Sequence, residues 1–131
     1  MPDVMLEVGL AATVTATVEP AMLASAVGSG TLAVLATPWL VALVERAACA
    51  ALEGHLPDGH TSVGTHIDLI HLAATPLGAE VRARAEVVEI DGRRLVFRVE
   101  AFDTQDKIGE GTHERSIVDA QRLLDRANAK R

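Results

Sequence analysis

Only three of the 131 residues are aromatic, and none is tyrosine. Trp39, Phe97 and Phe102 are the whole supply. Base-stacking platforms need more rings than that, and a net charge of −6 opposes a phosphate backbone, so nucleic-acid binding is excluded. Cys49 is the only cysteine, and one thiol makes neither an intrachain disulfide nor a thiolate metal cluster. No Lys or Arg precedes Arg46. Neither the basic start of a secretory signal nor an Arg-rich transit peptide is therefore expected, and the expected compartment is the cytoplasm. Long hydrophobic runs are missing too. The longest, Leu32 to Val44, is interrupted by Thr37 and Pro38 and falls well short of the ~20 residues that span a bilayer, so no membrane segment is expected. No set of His, Cys, Asp or Glu has metal-ligand spacing, and neither a metal nor another cofactor is expected.

What the chain does have is small apolar residues: 49% of it is hydrophobic. A chain of this length buries roughly 68% of its unfolded surface, enough for one core without staples. Residues 1–131 are read as a single domain, with 119–131 as a short C-terminal tail. The core must be built from Ala, Val, Leu and Ile, which lets backbones approach closely and leaves some apolar surface for a partner subunit to complete.

Leu10 to Val18 alternates strictly, Ala12, Val14, Ala16 and Val18 against Thr13, Thr15 and Thr17, which is the period of a half-buried strand. Pro20 ends it. Ala21 to Leu35, with Gly28-Ser29-Gly30 at its centre, reads as a loop or lid with hinges. Thr37-Pro38 then reads as an N-cap followed by a proline at the first helical position. Leu40, Val41, Val44, Ala47, Ala48, Ala51 and Leu52 form one apolar face of a helix that ends near Gly54. Four strand-like runs follow, at Ser62–Leu72, Val81–Val87, Leu95–Ala101 and Ile108–Val118, with Asp91-Gly92 a strong hairpin signal. The tail reads as a short helix. One strand, one long helix and a meander of four antiparallel strands make an α+β fold in which a curved five-stranded sheet wraps the helix, the hot-dog architecture.

Several titratable residues stand in unusual places. Glu45 lies on the flank of the apolar helix face, either as a boundary carboxylate or at the rim of a cleft. His71 shares a strand face with Val63, Ile67 and Leu69, as a core histidine or as a base. Gly64, His66 and Asp68 fall on the other face, so His66 and His71 cannot share a metal. Thr37 has work as a cap, yet it also stands where a helix N-terminus can receive developing negative charge, with Trp39 and Leu40 as amide donors because Pro38 has none. Cys49 reads as packing. Arg93 and Arg94 follow the hairpin turn and read as solvated, or as a pair that could meet a phosphate.

The ordered blocks Val27-Gly28-Ser29-Gly30, Val34 to Pro38, Val63-Gly64-Thr65, His71 to Pro76, Asp91 to Leu95 and Gly109 to Ile117 resemble hot-dog thioesterases related to fluoroacetyl-CoA thioesterase. The resemblance runs from about Val4 to Val118. It implies a catalytic Thr37, Glu45 and His71, with Gly64 and Arg115 at the substrate, where Trp39 is expected as well from its place at the helix N-terminus. It also implies an acyl-CoA substrate cleaved to a carboxylate and free CoA, and a homodimer with sites at its interface, whether or not dimers pair into tetramers. The segment before the helix departs from the family: it is several residues shorter and carries no aromatic, where the fluoroacetyl-selective enzyme carries phenylalanines. Two other functions fit the fold. A non-catalytic acyl-CoA-binding protein would not need the three polar residues. An enoyl-CoA hydratase would need an Asp and His commonly five apart, whereas Asp68 and His71 are three apart and on opposite faces.

Overall fold

The computed structural model describes residues 6–131; Val4 and Met5, where the resemblance begins, lie outside the described residues. β1 (Ala11–Thr17) leads through a 3-10 turn at Pro20–Met22 to the one-turn α1 (Ala24–Val27) and the long α2 (Thr37–Leu52). β2 (His60–His71), β3 (Glu80–Asp91), β4 (Arg94–Phe102) and β5 (Lys107–Asp119) follow, and α3 (Ala120–Asn128) ends the chain. All five strands form one antiparallel sheet in the order β1-β3-β4-β5-β2.

This order corrects the four-strand meander. β3, β4 and β5 are joined as hairpin neighbours, but β2 pairs with β5 and stands at one edge, while β1 pairs with β3 at the other. The connection from His71 to Glu80 is too long for a tight hairpin. Leu72 N–H donates to Ile108 O, and Val18 takes up Ala79 and Gly78, so the chain is carried across the sheet instead of folding back on β2.

The inward face follows from the alternation. Val81, Ala83, Ala85 and Val87 of β3, and Leu95, Phe97, Val99 and Ala101 of β4, are all buried. Against them lie Leu40, Leu43, Val44, Ala47, Ala48, Ala51 and Leu52 of α2. Alanines on both sides let the helix sit close to the sheet, and the larger side chains contribute about 1.5–3 kcal/mol each by leaving water. Leu43 belongs to this face and Val41 only partly, because the buried stripe is turned slightly from the one read off the sequence. Cys49 is exposed, not packed.

The segment expected to be a hinged lid is pinned. Ala24 N–H donates to Val34 O, Ser25 N–H to Leu32 O, and Ala36 N–H to Met22 O, tying both ends of it to the same frame. Gly28 closes α1 at a φ of 87°, where a side chain would be strained, and its N–H caps the turn at Ala24 O. The tip still presents Val27 and Leu32 to solvent.

Candidate active site

Thr37 is not the cap. Ala36 holds the N-cap position, so Thr37 and Pro38 are the first two residues of α2 and the threonine hydroxyl is released from capping. It lies 2.7 Å from His71 Nδ1 on β2. The pair lines a cavity of about 380 Å³ whose other walls include Ala24, Ser29 and Val34 of the lid segment. His71 Nε2 is buried without a hydrogen-bond partner among the described residues. Burial holds this imidazole below its ordinary pKa, opposed by a hydrogen bond with the Ala73 backbone. A neutral ring with Nδ1–H donating to Thr37 Oγ1 leaves Nε2 as a free lone pair, which is what a general base needs.

The amides assigned to an oxyanion are already used. Trp39 N–H and Leu40 N–H both donate to Ala36 O. Thr37 N–H has no backbone acceptor among the described residues, so it is the amide of the first turn free to meet negative charge. Trp39 instead presents its ring to the Arg46 guanidinium, 5.4 Å away.

Glu45 stands elsewhere. Eight residues along α2 from Thr37, it is about 12 Å further down the helix axis. There its Oε2 lies 3.5 Å from Arg115 Nη1. The carboxylate is 41% exposed while Arg115 is 6% exposed, so the pair has one wet and one dry member. Arg115 donates from Nε to Ser62 Oγ at 2.8 Å and from Nη2 to Ser62 O at 3.1 Å. Its Nη1 meets His113 Nε2 at 3.2 Å, and His113 Nδ1 reaches His66 O at 2.7 Å. An arginine only donates, so His113 Nε2 accepts and Nδ1–H donates to the carbonyl, one fixed neutral tautomer. Burial first, and the Arg115 charge as well, hold His113 below its ordinary pKa against the His66 hydrogen bond and Glu45.

Gly64 belongs to this second cluster. A Cβ there would lie 2.5 Å from Glu45 Oε2, so a side chain at this position would push the carboxylate from its present place. Strict alternation placed Gly64 opposite His71. The register with β5 slips between Gly64 and His66, and the extra residue Thr65 changes the phase, bringing Gly64 and His71 to the same, helix-facing side. Asp68 and His71, both beyond the slip, stay on opposite faces.

The chain thus brings Thr37 and His71 together, and Glu45, Gly64 and Arg115 together, at two separate places along α2 and β2. Residues 18–121 match the family described as FlK, fluoroacetyl-CoA-specific thioesterase. The chain belongs to this family. The fluoroacetyl-CoA thioesterase of Streptantibioticus cattleyicolor is 44% identical over 97 residues, 74% of this chain and 67% of that protein. A solved structure of fluoroacetyl-CoA thioesterase FlK superposes with a TM-score of 0.91 at 34% identity, covering 96% of this chain and 98% of the other. A Thermus thermophilus member of the thioesterase superfamily superposes at 0.83 with 29% identity, over 98% and 99% of the two chains. A hot-dog-like protein from Thermanaerovibrio acidaminovorans, 23% identical, shares the fold at 0.86 over 95% of this chain and 93% of its own. The curved antiparallel sheet around α2 is that hot-dog fold.

Two site residues were not found by sequence reasoning. These are His113, within the strand-like run Ile108–Val118, and Ser62, at the start of the run Ser62–Leu72. The available signal was that His113 and Arg115 share parity with Ile117, so two polar side chains point into the core and must satisfy one another there. Among the described residues no group of three or more His, Cys, Asp or Glu is placed to hold a metal ion.

The pH dependence follows from the two depressed imidazoles. An unfolded histidine protonates at about 6.5, while folded His71 and His113 resist protonation at that pH because they are buried. Below it the unfolded state binds more protons, so stability is full above that value and falls as the pH drops. Melting temperature is expected to be flat from pH 8 to 7 and to decline below 6.5, and the acid limb of kcat/KM is expected below 6.5. An acid limb above pH 7 would show that His71 is not the desolvated base described.

Proposed function

We propose that this protein hydrolyses acyl-CoA thioesters as a homodimer whose two sites each draw residues from both chains. It is an acyl-CoA thioesterase of the hot-dog class, and what supports the reading best is the Thr37–His71 hydrogen bond beside a helix N-terminus, in a chain of this family. Nothing favours a binding protein without turnover. Among the described residues no helix is long and apolar enough to cross a membrane.

The dimer is argued from β2. It is a twelve-residue edge strand with Ile67 and Ile70 exposed and Leu72 exposed just after it, and an open apolar edge pairs with another strand unless something blocks it. A two-fold axis through Asp68 would set Ile67 against Leu69 of the partner subunit and His66 against the partner's Ile70. After the extra residue Thr65, Gly64 would then meet the partner's His71. That register keeps helix-facing residues opposite helix-facing residues. It carries Glu45, which lies against Gly64, to the Thr37–His71 pair of the other chain.

In such a site the thioester carbonyl sits by the α2 N-terminus, with Thr37 N–H at its oxygen. His71 Nε2 takes a proton from water as the water oxygen attacks the carbonyl carbon. The C–S bond then breaks and the imidazolium returns the proton to the thiolate. Glu45 serves as the second acid or base, or attacks first as a carboxylate that water later releases. No metal or cofactor enters.

A thiol-release assay across acetyl, fluoroacetyl, branched, aryl and long-chain CoA esters tests this reading. The lid segment has Val27 and Leu32 at its tip and no aromatic ring, and small shape differences in an apolar pocket are worth only about 1–3 kcal/mol. The kcat/KM for fluoroacetyl-CoA is therefore expected to exceed that for acetyl-CoA by less than about 10²-fold, with some ester of four or more carbons preferred to both. A preference of several thousand-fold would contradict the lid argument, and turnover of no ester would overturn the function.

A further inference from the structure

We propose that a cleft beside α3 binds the phosphates of the CoA nucleotide, an assignment that rests on the acyl-CoA reading of the active site. The cleft, of about 310 Å³, is lined by Arg93 of the β3–β4 turn, Arg122 and Arg126 of α3, and His60 at the start of β2. Arg122 and Arg126 are four apart on one helical stripe, where like charges destabilise the helix. Arg93 adds a third guanidinium across from them. Several basic side chains elsewhere on the sheet are paired: Arg94 with Glu89 and Glu114, Lys107 with Glu100 and Glu110, Arg84 with Glu86. None of the described carboxylates forms an ion pair with Arg93, Arg122 or Arg126. Asp119 also lines the cleft; its carboxylate accepts Arg122 N–H as the cap of α3 and, lying within electrostatic reach of Arg122 and His60, offsets part of the positive charge there. In a chain of net charge −6 with 18 acidic residues, three unpaired guanidiniums around one cleft mark a site for an anion of more than one charge.

The position suits the far end of the substrate. His60 also lines a groove of about 640 Å³ that runs past Cys49 and Arg46 to Ser62, whose hydroxyl is held by Arg115, the partner of Glu45. Four strand residues, about 13 Å, separate His60 from Gly64. An extended pantetheine arm lying in that groove would leave its diphosphate and ribose phosphate at the arginines. Arg122 and Arg126 lie on α3, just beyond residues 18–121, the stretch matched to the family.

Calorimetric titration of adenosine 3′,5′-bisphosphate at low salt tests the cleft directly, in wild type and in the folded Arg93→Gln/Arg122→Gln/Arg126→Gln variant. Saturable binding to wild type, weakened at least about tenfold in the variant and by added salt, is expected. Absence of saturable binding, or equal binding by both proteins, overturns the proposal. Kinetics supply the second arm. The variant's KM for an acyl-CoA should rise about tenfold at unchanged kcat, while its KM for the same acyl-pantetheine, which lacks the nucleotide, stays at the wild-type value. An equal rise for both thioesters counts against the cleft. If wild type cleaves neither, the thioesterase reading fails, and the titration still decides the anion site.

Discussion

His71→Ala and Glu45→Ala are each expected to lower kcat by at least about 10²-fold, and an equal mixture of the two inactive proteins is expected to regain activity. The two side chains lie at separate places in one chain, with Thr37 and His71 at the start of α2 and Glu45 about 12 Å along it. A dimer of one variant chain with the other contains one site lacking both groups and one site lacking neither. Random pairing makes half the dimers mixed, so co-refolded or co-expressed protein should recover about a quarter of wild-type turnover. A chain carrying both substitutions should recover nothing and should be little slower than the worse single variant, since groups acting as a unit are not additive. Circular dichroism checks that each variant folds. A mixture as inactive as its components would place the whole site within one chain and overturn the β2 pairing through Asp68.

Arg115→Ala is expected to lower unfolding stability by about 3 kcal/mol and to reduce turnover as well. Its guanidinium is buried and serves Ser62 Oγ, Ser62 O, His113 Nε2 and Glu45 together. Breaking a buried charged network costs about 3–5 kcal/mol, and the half-exposed Glu45 puts this case at the low end. The loss also strands His113 Nε2, a dry acceptor beside Phe97, and frees the Glu45 carboxylate that Arg115 holds against Gly64. Arg115→Lys should recover little, because an ammonium cannot reach Ser62 and His113 at once as the planar fork does. Urea unfolding at fixed protein concentration, with kcat measured on the same samples, checks both parts. Wild-type stability in Arg115→Ala would show that the network carries no folding energy.

Much of the fold was legible because burial imposes periods on sequence. The alternation of Val81, Ala83, Ala85 and Val87, and of Leu95, Phe97, Val99 and Ala101, could only be strands with one face inward. The apolar stripe from Leu40 to Leu52 could only be a helix lying on that face. The short Asp91-to-Arg94 connection set the β3–β4 pairing. The catalytic candidates could be named for the same reason: a carboxylate on the flank of an apolar helix and a histidine on an apolar strand face are costly unless used or satisfied.

Contacts between distant parts of the chain carry no period, and those the tertiary structure alone decided. Nothing local says that β2 pairs with β5 and not β3, because that choice belongs to the ladder across the sheet and to where Leu72 and Gly78 find partners. A single extra residue, Thr65, reverses the facing of half of β2, and a bulge leaves no compositional mark. His113 and Arg115 satisfy one another only because β5 turns both inward, and Thr37 reaches His71 only because Ala36 takes over the cap. The residue types were written in the chain. Which of them meet was settled by sheet order, register and the position of one helix, since these determine distance, and hydrogen bonds and charge pairs depend on distance.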